Sequence, residues 1–156
     1  MLRNNCRELT NTELQTQDID FQCGIEFIAW YVPSPDPSVL DFEILIKELK
    51  ECLEIIKEDK ITFPIDRYNN YEDITYIMGA VYAEIYVQTF NWKLIFLTDI
   101  EEYAVLSPDN NFAIRYHSII YQILTGLMPN NLLLGYNLIK ESKFPEYAGS
   151  ELNFIF

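Results

Sequence analysis

Glu84 and His117 are the residues of this sequence that most readily suggest acid–base chemistry. Glu84 lies seven residues after Ile77 and three after Val81, so helical spacing puts it on or beside an apolar stripe. A carboxylate there is costly unless it is paired, and desolvation would raise its pKa. Two interpretations stay open for this predicted buried carboxylate. It is either a functional group (a general acid/base or a ligand for a partner's cation) or a structural carboxylate bonded to a neighbouring Tyr, Trp or Arg115.

His117 is the only histidine in the sequence. A Ser–His or Cys–His pair needs a nucleophile held on a sharp turn. Cys23 and Thr125 each stand beside a glycine, but no nucleophile-elbow motif surrounds either of them. We expect His117 to lie at a strand-to-helix junction without catalytic duty. A small enzyme that combines Glu84 with His117 remains the alternative to a binding protein.

Sequence motifs for metals and phosphate-containing cofactors are missing. Neither Gly-rich phosphate motif occurs, and the chain has only five glycines. Cys6, Cys23 and Cys52 form no CxxC pair, and one histidine does not complete a zinc site. We therefore expect no metal, no cofactor and no catalytic residues that depend on either. We expect the three cysteines to be reduced thiols, as in cytoplasmic proteins.

Negative charge is the most informative property of the chain. Its 24 Asp and Glu residues against 11 Lys and Arg give a net charge of −13, which disfavours nucleic acid and anionic membranes as partners. Asp99, Glu101 and Glu102 fall in an expected hairpin turn, and Asp109 is expected nearby. The hypothesis is that these four carboxylates attract a basic protein, provided that they gather on one surface. The alternative is that the acidity only keeps the protein in solution.

Tyrosines are the expected anchors of that interface, because tyrosine offers a large contact area with few torsions to freeze. The alternative is that they only fill the core. The candidates are Tyr68, Tyr71, Tyr76, Tyr82, Tyr86 and Tyr103.

Hydrophobic spacing predicts one α+β domain over residues 1–156, with three to four main helices packed on a small antiparallel sheet. Residues 1–18 are expected to be a mobile end or a helical lead-in, and residues 33–37 a Pro-rich connection. The tail from Lys143 is expected to be irregular, although residues 152–156 are apolar enough to dock. The expected helices are 19–32, a helix capped by Ser38, 72–90, 118–127 and 130–141. The expected strands are 92–97, 103–106 and 112–116.

Neither a secretory signal nor an apolar run of membrane-spanning length is visible, so we expect a cytoplasmic protein with no membrane partner. Its oligomeric state is left open.

The stretch Met78-Gly-Ala-Val-Tyr-Ala-Glu84, followed by Phe90-Asn-Trp-Lys, resembles a pattern in small bacterial proteins. In these proteins a Gly-x-x-x-Gly-Glu helix precedes a Trp-containing hairpin, and some are similar to immunity proteins of polymorphic toxin systems. Ala83 stands where the second Gly would be, and the resemblance covers about residues 78–124. The resemblance implies a protein that binds and neutralises a toxin made by the same or a neighbouring cell. Together with the acidic composition, it leads us to expect a non-enzymatic, immunity-type inhibitor that occludes a basic toxin or nuclease surface. A structural adaptor that oligomerises through its aromatic surface is a further alternative.

Overall fold

The computed structural model describes residues 2–34, 39–59, 70–143 and 151–155, and within them the chain has an α+β fold, as expected. The helices are α1 (Asn11–Tyr31), α2 (Phe42–Asp59), α3 (Tyr71–Phe90), α4 (Tyr116–Leu124) and α5 (Leu132–Lys140). The strands are β1 (Cys6–Glu8), β2 (Lys93–Leu97), β3 (Glu102–Leu106), β4 (Phe112–Ile114) and β5 (Asn153–Phe154).

Polar side chains cap the first turns of the three long helices. Thr10 and Glu13 form a reciprocal capping box at the start of α1. Asp41 Oδ1 accepts hydrogen bonds of 2.9 and 3.2 Å from two backbone N–H groups in the first turn of α2. Asn70 Oδ1 likewise caps α3 by accepting a 2.9 Å hydrogen bond from the backbone N–H of Asp73. The expected cap of α2, Ser38, lies outside the described residues, and Asp41 is the residue that caps the helix.

The sheet has the strand order β1-β2-β3-β4-β5 and is wider than expected. The β2–β3 hairpin predicted from the sequence is present, with Leu94 opposite Val105 and Phe96 opposite Tyr103. The two chain ends supply the outer strands: β1 pairs antiparallel with β2, and β5 pairs parallel with β4. The sheet is therefore mixed rather than purely antiparallel, and part of the tail from Lys143 is a strand.

Helix α3 is the centre of the core and packs between α1 and α4. Gly24 of α1 makes close approach possible, because a Cβ at this position would lie 2.5 Å from both Ile77 O and Val81 Cγ2. Gly79 of α3 lies directly against the ring of His117 on α4. Because glycine has no Cβ, Gly24 lets the backbone of α1 approach α3 closely, and Gly79 lets the His117 ring approach α3 closely.

The inward face of α1 includes residues that are not apolar. Its buried residues are Gln17, Phe21, Gly24, Phe27 and Ile28. Ile19 and Trp30, which stand at helical spacing with Phe27 in the sequence, are instead 62% and 46% exposed. Residues 11–18, which were expected to be mobile or a helical lead-in, form the first turns of α1.

Apolar residues on the sheet face away from the helices form a second, smaller core. Leu2 and Leu152, from the two ends of the chain, pack against it. The chain ends therefore cover one face of the sheet, while the helices cover the other and leave α1, α3, α4 and the β2–β3 turn to frame the candidate site.

Candidate functional site

An open cleft of about 860 Å³ lies between the start of α3, the beginning of β3 and α4. We call it the outer cleft. Three elements that are distant in sequence contribute aromatic and acidic side chains to it. The tyrosines are Tyr71, Tyr76, Tyr103 and Tyr121, and the carboxylates are Glu72, Glu101 and Glu102.

The β2–β3 turn carries the acidic residues expected from the sequence. Glu101 is exposed and has a left-handed backbone with φ of 54°. Glu102 forms an ion pair with Arg115, with Nη1 and Oε2 3.6 Å apart. Asp99 accepts a hydrogen bond of 3.3 Å from Asn5 Nδ2. Asp99, Glu101 and Glu102 therefore lie together at one end of the hairpin.

Asp109 does not join them, because it follows the opposite end of β3. Its carboxylate accepts a hydrogen bond from the Ser107 hydroxyl at 2.5 Å and another from the Asn111 backbone N–H at 3.1 Å. The hydrogen bond from Ser107, with those from Asn111, lowers the pKa of Asp109. The structure gives this carboxylate a place in the β3–β4 turn, so the expectation that it lies near the hairpin turn is wrong.

A smaller cavity of about 190 Å³ adjoins the outer cleft and shares Tyr76, Tyr103 and His117 with it as a common wall. We call it the inner cavity. Its other walls come mainly from α1, which contributes Glu13 and Asp20. Neither carboxylate was singled out from the sequence. Glu13 precedes the predicted start of the helix at residue 19, and Asp20 lies inside the predicted helix but belongs to no recognisable motif.

Glu13 is a fully compensated charge. Its two carboxylate oxygens each accept a 2.9 Å hydrogen bond from the Arg7 guanidinium, and Oε1 also accepts one of 2.9 Å from the Tyr103 hydroxyl. The Arg7 bonds, with the hydrogen bond from the Thr10 backbone N–H, lower the pKa of Glu13 to about 2. The Arg7 guanidinium also lies over the Phe96 ring, 4.2 Å from its centroid. This network holds the Tyr103 ring in the wall between the two spaces.

Asp20 differs from Glu13 because its carboxylate has no hydrogen bond or ion pair within the part of the chain that the structure describes. The residue is half-buried, and desolvation raises its pKa. Burial also raises the pKa of the neighbouring Tyr116, and the charge of Asp20 adds to that shift. A carboxylate that the protein partly desolvates without compensating it is a candidate for binding a cation.

His117 occupies the shared wall, at the start of α4 and directly after β4 as expected. Its ring contacts Tyr116 and Tyr76 edge-on, with centroids 4.5 and 5.2 Å apart. Burial lowers the pKa of His117 to about 4, so the ring is neutral at pH 7. Its Nε2 atom is buried and has no hydrogen-bond partner among the described residues.

Glu84 is not the buried carboxylate that the sequence suggested. It is half-exposed on α3 and accepts a 2.7 Å hydrogen bond from Gln88 Nε2. It lines neither the outer cleft nor the inner cavity, so the structure does not bring it together with His117. The Ser118 hydroxyl, next to His117 in the sequence, accepts a 3.1 Å hydrogen bond from the Gln122 side chain.

The expected tyrosine anchors divide into two groups. Tyr82 and Tyr86 are fully buried in the core and cannot contact a partner. Tyr71, Tyr76 and Tyr103 line the outer cleft, where Tyr121 joins them without having been predicted. Tyr68 lies outside the described residues. The spacing of tyrosines on α3 could not separate the two groups, because this helix is apolar on most of its sides.

Within the described ranges, no group of three His, Cys, Asp or Glu side chains is arranged to hold a metal ion. None of the helices in these ranges is both long and apolar enough to cross a membrane. Comparison of the chain with protein-family models, curated proteins and solved structures found no match. The shape and charge of the outer cleft and the inner cavity are therefore what bears on function.

Proposed function

We propose that the protein is a non-enzymatic, acidic protein-binding module whose outer cleft docks on a basic surface of another protein. Its most concrete form is an immunity-type inhibitor that occludes a basic toxin or nuclease surface in the cytoplasm. The observation that carries the proposal is the composition of the outer cleft, where four tyrosines and three glutamates line one open surface. Tyrosines are common anchors of protein interfaces. A rim of carboxylates speeds the approach of a positively charged partner.

The pairing of charged side chains supports this surface as the docking site. Many lysines elsewhere are paired with local carboxylates, such as Lys50 with Glu54 on α2 and Lys140 with Glu43 between α5 and α2. At the outer cleft only Glu102 has a basic partner in the described part of the chain, Arg115. In a chain with net charge −13, the carboxylates Glu72 and Glu101 beside the exposed tyrosines therefore have no neighbouring cation in the described residues to offset their charge.

The backbone at Glu101 gives independent support. A left-handed conformation is normally taken by glycine or asparagine, and other residues pay about 1 kcal/mol or more for it. Asn91 and Asn110 follow that preference among the described residues, whereas Glu101 and Ser142, the latter just after α5, do not, and of these two only Glu101 carries a charge. A strained position that carries a charge instead of glycine is typical of a residue retained for function.

Charge reversal tests the proposal. Glu101→Lys combined with Glu102→Lys changes the outer cleft, and Glu51→Lys with Glu58→Lys changes the net charge equally on exposed positions of α2. The wild-type protein first captures its partner from the native host. Association kinetics of the purified pair are then measured over a range of salt concentrations.

The cleft variant is expected to associate at least about tenfold more slowly and with a flatter salt dependence than the α2 variant, because local potential steers encounter. Equal rates for the two variants would remove the outer cleft from consideration. A partner with an acidic surface would contradict the proposal as a whole.

A further inference from the structure

We propose that the inner cavity binds an organic monocation, a guanidinium or alkylammonium group, with Asp20 as its counter-ion and the surrounding tyrosines as its aromatic walls. The inference deepens the proposed function and rests on it for the source of the cation, which is the tip of an Arg or Lys side chain of the basic partner. The inner cavity and the outer cleft share Tyr76, Tyr103 and His117, so a protein docked on the outer cleft also lies close to the inner cavity.

The charge balance of the cavity matches one positive charge. Glu13 is neutralised by the two hydrogen bonds from Arg7. His117 is neutral at pH 7 and adds no positive charge. This leaves the Asp20 carboxylate, which is half-buried and lacks a partner among the described residues. A partly desolvated carboxylate gains more from a cation than one in water does.

The aromatic walls suit the same ligand. Tyr76 and Tyr103 each stand at roughly a right angle to the His117 ring, with interplanar angles of 82° and 84°, and all three rings line the inner cavity. Tyr116 lines the same cavity from the start of α4. Aromatic rings arranged around a pocket attract cations through their negative faces, and this arrangement recognises methylated ammonium groups in other proteins.

The size of the cavity excludes larger ligands. Its volume of about 190 Å³ is below the roughly 300–1,000 Å³ of pockets that hold drug-sized molecules. A side-chain head group of a few heavy atoms fits the available space, whereas a nucleotide does not.

The test uses methylguanidinium as the probe and methylurea as its neutral isostere. Both are titrated into the full-length chain, and binding is followed by NMR at the imidazole of His117, which is the only histidine and therefore unambiguous. Methylguanidinium is expected to saturate with a dissociation constant on the order of a millimolar, as befits a ligand of so few atoms. Methylurea is expected to bind at least about tenfold more weakly, since it lacks the charge that Asp20 and the rings attract.

Two matched pairs of variants locate the site. Asp20→Asn is expected to weaken methylguanidinium binding about tenfold or more. Asp18→Asn makes the same change at an exposed position of α1 and is expected to leave binding unchanged. Tyr76→Leu removes a wall of the inner cavity, whereas Tyr121→Leu removes an equally exposed tyrosine that lines only the outer cleft (46% and 45% exposed). Urea denaturation of each variant shows that it is folded, and Asp20→Asn is expected to be at least as stable as the wild type.

Shifts that never saturate, equal binding of methylurea, or equal losses in Asp18→Asn and Asp20→Asn would each overturn the inference. These failures are separable from failure of the proposed function. If the probe does not bind but partner association still depends on Glu101 and Glu102, only the inner cavity is wrong. If the probe binds as expected but no basic protein associates, the cation site stands, its source is a free amine or guanidine, and the proposed function fails.

Discussion

Lowering the pH from 8 to 5 is expected to remove about 2 kcal/mol of stability through His117. Burial lowers the pKa of the folded ring to about 4, from an ordinary value of 6.5. As the pH falls, the unfolded chain binds a proton near pH 6.5, whereas the folded chain resists protonation until about pH 4. The free energy of unfolding is therefore unaffected by protonation of this histidine above about pH 6.5 and falls as the pH drops from 6.5 towards 4. The interval from pH 6.5 to pH 5 spans about one and a half pH units, and each unit lowers the free energy of unfolding by about 1.36 kcal/mol.

The measurement is urea denaturation of the wild type and of His117→Phe at several pH values from 8 to 5. Phenylalanine keeps a ring against Gly79 but cannot titrate. Carboxylates such as Asp20 titrate in both proteins, so their effects cancel in the difference between the two free energies of unfolding. The range stops above the isoelectric point of about 4.3, where loss of net charge promotes precipitation.

The difference between wild type and variant is expected to change by about 2 kcal/mol across this range, in the direction that favours the variant at pH 5. Parallel curves would refute the reasoning, because they would show that the folded protein does not resist protonation of this ring. An NMR titration of the single histidine gives a second measure, and a pKa near 6.5 would likewise contradict its burial as described.

Two further predictions concern the backbone. Gly24→Ala is expected to lower the free energy of unfolding by about 1–2 kcal/mol, because overpacking against Ile77 costs about 1–3 kcal/mol and the better helix propensity of alanine returns at most about 1. Urea denaturation measures the loss, and Gln15→Ala, at an exposed position of the same helix, is the control. Equal stability of the Gly24→Ala and Gln15→Ala variants would show that α1 and α3 are packed less closely than described. Glu101→Gly is expected to raise the free energy of unfolding by about 1 kcal/mol and to slow association with the partner, because it relieves the left-handed strain and removes a charge of the outer cleft. Reduced stability would mean that the glutamate side chain supports the turn.

Local sequence patterns predicted the hairpin and α3 well. The residues of β2 and β3 are rich in aromatic and branched side chains, and the switch from helical spacing after Phe90 marks the change of element. The shorter outer strands were missed because their two or three residues carry too little pattern of their own. β1 and β5 exist only because partners in the sheet supply their hydrogen bonds.

Helical spacing was least reliable where one helix crosses another. The buried stripe of α1 contains Gln17 and Gly24, which an apolar pattern does not include. Gln17 is buried because its amide donates a 3.1 Å hydrogen bond to the Ala80 carbonyl of α3. Gly24 is buried because α3 needs the space. On α3 the apolar surface extends around most of the helix, so spacing could not show that Glu84 lies on its half-exposed side.

The sequence by itself determined the α+β class, the presence of the main helices, the central hairpin, and the excess of negative charge. These properties depend on composition and on neighbours within a few residues. Only the tertiary structure decided that Asp20, Tyr103 and His117 share one cavity, and that Asp109 lies apart from the hairpin turn. Such juxtapositions depend on how α1, α3 and α4 pack around two glycines, and packing between distant segments leaves no periodic trace in the chain.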